Sequence, residues 1–138
     1  ATGAIGIGVL VANQLGIPFA YVRPKPKAHG RENQVEGLIE DHSKVIVIED
    51  LISTGKSSLE AVDAINRSIK VKVKAVAAIF DYGFEDTKRR FADAHLDYYS
   101  ISDYDHLIEK AYQTNYLTQH DLELLKTWRQ DPENWINK

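Results

Sequence analysis

Residues 45–58 read VIVIEDLISTGKSS, and the order of residue classes within them decides the fold. Lys44 to Glu49, KVIVIE, is a continuous apolar run closed by an acid, the pattern of a strand buried on both faces of a parallel sheet. A loop of small residues follows, and then Leu59, Val62, Ile65 and Ile69 recur at helical spacing. Strand, small-residue loop and helix in that order make a βα unit.

Outward from that unit the alternation continues. Residues 3–15 carry Ile5, Val9, Ala12 and Leu15 on one helical face, with Gly16 as the stop. PFAYV (Pro18 to Val22) reads as a short strand, VKAVAAIF (Val73 to Phe80) as a second buried strand and DYYSIS (Asp97 to Ser102) as a further one. FEDTKRRFADAH (Phe84 to His95) reads as a helix, and two more are expected around Tyr104 to Thr114 and Gln119 to Arg129. Strands alternating with helices predict an α/β fold whose twisted sheet is largely parallel and flanked by helices. The 138 residues are expected to form one core domain, 1–138.

Composition narrows the function. With 43% hydrophobic and 27% charged residues the chain reads as an ordinary globular protein. A net charge of −3 gives no global basic field for nucleic acid, so no nucleic-acid partner is expected. There is no cysteine, which removes thiol nucleophiles, thiolate metal sites and disulfides and favours a reducing compartment. No apolar run approaches the roughly 20 residues of a membrane span, so a cytoplasmic protein without a membrane partner is expected.

The Gly55-Lys56-Ser57 ending invites comparison with a P-loop. That motif needs a glycine five positions before Gly55, where this chain has Asp50, whose charge would face a phosphate. A nucleoside triphosphate loop is therefore rejected. A phosphate site remains, because Ser53, Thr54, Gly55 and Ser57 lie between a strand end and a helix start, where free N–H groups and the helix dipole favour an anion. So compact a cup suits a monophosphate. Glu49 and Asp50 then need another target; carboxylates accept hydrogen bonds from vicinal hydroxyls such as those of ribose, and can contact the hydration shell of Mg2+. The alternative is an acidic pair that merely caps the helix. Together the two halves describe a ribose 5-phosphate site at the carboxyl edge of a sheet, where open α/β folds place ligands.

VIVIEDLISTGKSS resembles the phosphoribosyl pyrophosphate (PRPP) signature of type I phosphoribosyltransferases: apolar residues, two acids, two apolar residues, then small hydroxyl and glycine residues, with Lys56 where many members have a second glycine. The resemblance implies that PRPP is bound by Glu49, Asp50, Leu51, Ile52, Ser53, Thr54, Gly55, Lys56 and Ser57.

It also gives a purpose to RPKPKAHGRENQVE, residues 23–36, which has few core candidates and, at about 14 residues, is longer than compact domains usually tolerate. Its net formal charge is +2 with His29 neutral, which suits a mobile lid over a pyrophosphate; the alternative is a solvated surface loop. Arg23, Lys27 and His29, with Gly30 following, fall on the positions of the catalytic loop of orotate phosphoribosyltransferases. That closer resemblance implies Mg2+-dependent transfer of ribose 5-phosphate from PRPP to orotate, giving orotidine 5′-monophosphate and pyrophosphate in de novo pyrimidine (UMP) biosynthesis. Lys27 and Asp50 would be catalytic, Arg23 and His29 would help bind PRPP, Ser53 would also touch orotate, and Mg2+ would be held mainly by PRPP and water rather than by protein ligands. A homodimer is implied, each lid acting on the neighbouring subunit's site. Two departures stand out: Pro24 follows the loop arginine, and Phe80-Asp81-Tyr82-Gly83-Phe84 has no arginine where some members place one to hold orotate. Ala1-Thr2-Gly3-Ala4-Ile5-Gly6 resembles the family's pyrophosphate loop, which implies a preceding first strand and a hood over the base. Transfer to another base, such as a purine, and a PRPP sensor without catalysis both remain compatible with these residues.

Overall fold

The computed structural model describes residues 2–24 and 34–135. A single 3-10 turn (Thr2–Ala4) leads into α1 (Ile5–Leu15), followed by β1 (Ala20–Val22), β2 (Val35–Gly37), β3 (Lys44–Ile52), α2 (Lys56–Ser68), β4 (Lys72–Asp81), α3 (Glu85–Asp93), β5 (Asp97–Asp103), α4 (Tyr104–Gln113) and α5 (Gln119–Gln130). β3, β4 and β5 form a parallel sheet in that order, and β1 and β2 form a separate antiparallel ribbon.

Each predicted helix and strand is present, with small shifts at the ends. β3 is longer than the apolar run that marks it: it continues through Glu49 and Asp50 to Ile52, because Leu51 and Ile52 still pair with Phe80 and Asp81 of β4. The expected loop 23–36 is also narrower than its composition implies. Val35 and Glu36 belong to β2, where they pair with Val22 and Tyr21, and Arg23 N–H donates to the Gln34 carbonyl at 2.8 Å. A three-residue strand is too short for its alternation to stand out from polar neighbours.

The register carries the three strands to a common carboxyl edge, with Ile52 beside Asp81 and Asp81 beside Asp103. On one face Val47, Ile52, Val76 and Ala78 pack with Val62 and Ile65 of α2 and Phe91 of α3. A second cluster joins Tyr104 and Ile108 of α4 to Leu122 of α5, with Phe80, Tyr82 and Trp128 against it. Local signals hold the last two helices in place. Asp103 caps α4 by accepting the His106 N–H at 2.9 Å, and Thr118 with Asp121 forms a capping box on α5. Among the described residues, no helix is long and apolar enough to cross a membrane.

Candidate active site

At the carboxyl end of β3 the chain passes through Ser53, Thr54 and Gly55 into α2. Gly55 sits at φ 72°, the left-handed region, and a Cβ there would stand 2.7 Å from Cε2 of Phe91. Both backbone and packing therefore require glycine. Thr87, fully buried on α3, donates its hydroxyl to the Ser53 carbonyl and ties down the other end of the loop. No side chain caps the start of α2, which leaves the amide groups of its first turn to a ligand or to water. Thr54 and Ser57 are exposed beside them. A cup held at both ends, with unpaired amides at its helical side, suits an anion.

The two acids do not share a face of β3. Asp50 is exposed at the open edge; its Oδ1 accepts the Leu51 N–H at 2.9 Å, and its carboxylate lies directly against Gly3 of the opening turn. Glu49 points the other way, 1% exposed, and accepts a hydrogen bond from the buried Ser58 hydroxyl at 3.0 Å. In this arrangement Asp50 is the carboxylate presented to a ligand, and Glu49 braces β3 against α2. Strand alternation makes this unavoidable for adjacent residues. Ile52, 1% exposed, places its side chain in the core, so only its backbone borders the loop. Leu51 is exposed, and the Lys56 side chain extends along α2 to 4.0 Å from Glu60 rather than over the cup.

Arg23, at the mouth of the ribbon, is paired with Glu36 at 3.0 Å, and Tyr21 donates its hydroxyl to the same carboxylate. Lys27 and His29 lie outside the described residues. Among the described residues no group of three or more His, Asp or Glu side chains is placed to hold a metal ion.

Beside the cup a cleft of about 880 Å³ opens between Ser53 and Thr54 on one side and Trp128 and Arg129 of α5 on the other. Tyr82 and Phe84 line it with rings nearly parallel at 5.5 Å, and Trp128 meets both edge-on at 6.0 and 6.2 Å.

No protein-family model matches the chain. Among curated proteins it is 49% identical over 135 residues to an orotate phosphoribosyltransferase of Porphyromonas gingivalis, covering 98% of this chain and 64% of that protein. It is 47% identical to one of Lactococcus lactis, covering 99% of this chain and 65% of that protein, and 45% identical to one of Bacillus subtilis, covering 100% and 64%. The chain thus spans just under two thirds of the length of these relatives. Among solved structures, the orotate phosphoribosyltransferase of Aeropyrum pernix aligns with a TM-score of 0.72 at 26% identity, over 86% of this chain and 63% of that one. Leishmania donovani UMP synthase shares the fold at a TM-score of 0.75 and 20% identity, over 91% of this chain and 27% of that one.

Over nearly its whole length the chain is similar to orotate phosphoribosyltransferases. Its fold is that of the type I phosphoribosyltransferases. Of four residues that shape the site, Gly3 and Ser58 lie inside stretches read as motifs but without the roles seen here, and Thr87 and Phe91 lie outside any motif. Gly3 and Ser58 set the two acids, and Thr87 and Phe91 hold the loop from beneath. Thr87 and Phe91 are four apart on α3, so the only sequence signal for them is a shared helical face.

Proposed function

We propose that this chain carries the PRPP-binding core of an orotate phosphoribosyltransferase that acts in de novo pyrimidine (UMP) biosynthesis. The observation that carries the reading is the pairing of a cup suited to an anion with Asp50 at one sheet edge, in a chain 45–49% identical to proteins of that name. A core domain spanning 1–138, with a lid at about 23–36, serves that role in the cytoplasm.

In this mechanism the C1′–oxygen bond to pyrophosphate breaks, a bond from C1′ to a ring nitrogen of orotate forms, and that nitrogen loses its proton. The backbone and hydroxyls from Ser53 to Ser57 hold the 5-phosphate. Asp50 accepts from the ribose hydroxyls and favours the oxocarbenium-like sugar, while Glu49, bonded to Ser58 on the opposite face, supports the strand that carries Asp50. Arg23, Lys27 and His29 of the lid counter the charge that builds on departing pyrophosphate, acting on the neighbouring subunit's site in a homodimer. Ser53 also borders the base. Mg2+ would supply charge neutralisation on the pyrophosphate. The donor set fits an ion held through phosphate and water, since the exposed Asp50 carboxylate beside the cup can meet its hydration shell and Mg2+ keeps much of its hydration.

The test uses the protein expressed from its intact gene, with PRPP, Mg2+ and a panel of bases. Rapid pyrophosphate release with orotate alone is expected; preference for a purine, or PRPP binding without turnover, overturns the reading. Lys27→Ala should lower kcat by about 100-fold or more while the KM for PRPP moves little. Near-normal turnover in that variant would remove Lys27 from the mechanism.

A further inference from the structure

The stretch at the end of β4 and just beyond it, Phe80 to Phe84, contains no arginine, yet the cleft beside the cup is not without one. Arg129, from the last turn of α5, reaches across the fold to Gly83: its Nη2 lies 3.5 Å from the Gly83 carbonyl, and its Nη1 is paired with Asp105. Its side chain is 24% exposed, so the guanidinium is held at the cleft wall rather than waving in solvent. Arg90 and Lys126 also border the cleft but are exposed. We propose that Arg129 is a base-binding residue of this site, clamping the carboxylate of orotate while the ring lies against the Tyr82, Phe84 and Trp128 cluster. The inference rests on the function proposed above.

Three observations favour it. The cleft adjoins Ser53 and Thr54, so a base joined to a ribose whose phosphate occupies the cup falls within it. Its aromatic wall suits a planar ring. Finally, a guanidinium is a flat fork that binds a carboxylate through two parallel N–H donors, and Arg129 commits only part of its five donors to Asp105 and Gly83. An incoming carboxylate would share or displace Asp105, which is well exposed and returns to water at little cost. Specificity would then arise from two elements distant in sequence, the turn after β4 and the end of α5.

The experiment is steady-state kinetics on the protein from its intact gene with orotate and PRPP varied separately. Arg129→Ala should raise the KM for orotate tenfold or more and change that for PRPP less than threefold; Arg129→Lys, with the charge but not the fork, should fall between. Asp105→Asn removes the same ion pair but keeps the guanidinium, so its KM for orotate should stay at or below the wild-type value. An equal rise in both KM values in the arginine variants overturns the proposal, as does no rise. So does an Asp105→Asn variant that behaves like Arg129→Ala, which would make the ion pair a structural strut. If Arg129→Ala fails to fold, the lysine and asparagine variants decide between the same outcomes. Absence of orotate turnover in the wild-type protein defeats the proposed function instead, before any variant is compared.

Discussion

Gly3 has no side chain, and the carboxylate of Asp50 occupies the space where a Cβ would stand. The obstruction is the tip of a flexible side chain, so Gly3→Ala should be absorbed by rotation of Asp50 and leave the melting temperature nearly unchanged. The consequence is functional. Displacing the one acid presented to the ribose should lower kcat/KM for PRPP roughly 10- to 100-fold, the penalty typical of a small misplacement at a reacting centre. An unchanged kcat/KM would show that Asp50 is free to choose its position. Tyr98 makes a different kind of prediction. Burial, then the nearby Asp81 carboxylate, pushes its hydroxyl up to about 12 from an ordinary 10. The folded state therefore holds that proton more tightly than the unfolded chain, so the contribution is intact below pH 10 and is lost as the pH rises towards 12. Unfolding midpoints across that window should fall, and Tyr98→Phe should flatten the decline.

At the scale of elements, the sheet was legible because β3 and β4 are short, mostly apolar runs bounded by turns, although burial on both faces does not hold: Ile46 and Ile79 are exposed, because α2 and α3 cover one face only. α2 was legible from its repeat of three and four. The site was half legible: residue classes along VIVIEDLISTGKSS announced the cup and the acids, but not that one acid would be buried and bonded to Ser58. That division follows from strand alternation together with which face α2 covers, and the second fact is tertiary. β2 was missed because three residues carry no usable period, and the cleft because its walls, Tyr82 to Phe84 and Trp128 to Arg129, are more than 40 residues apart. No local pattern links them. The lid's described ends gain an account they lacked as a loop: Arg23 with Glu36, and Tyr21 with the same acid, fasten the mouth of the ribbon.

For the molecule as a whole, the two faces of the sheet differ. α2 and α3 cover one; on the other, β5 exposes Tyr99 at 63% and Ile101 at 86%, with Ile79 of β4 and Ile46 of β3 also open. So much exposed apolar surface on adjacent strands is uncommon for a solitary domain. The 138-residue chain on its own should self-associate in a concentration-dependent way by light scattering, and Ile101→Lys should reduce this. A monodisperse monomer at high concentration would contradict that expectation. The anchoring of the cup has a longer reach. Because Thr87 holds the Ser53 carbonyl and the Phe91 ring fills the space beneath Gly55, any anion that quiets the loop also quiets α3, which need not touch it. Local opening of α3 and occupancy of the cup are then thermodynamically linked. Titrating a ribose 5-phosphate into the protein should slow amide hydrogen exchange along Glu85–Asp93 as well as in the loop itself, making a neighbouring helix the reporter of an event in the cup.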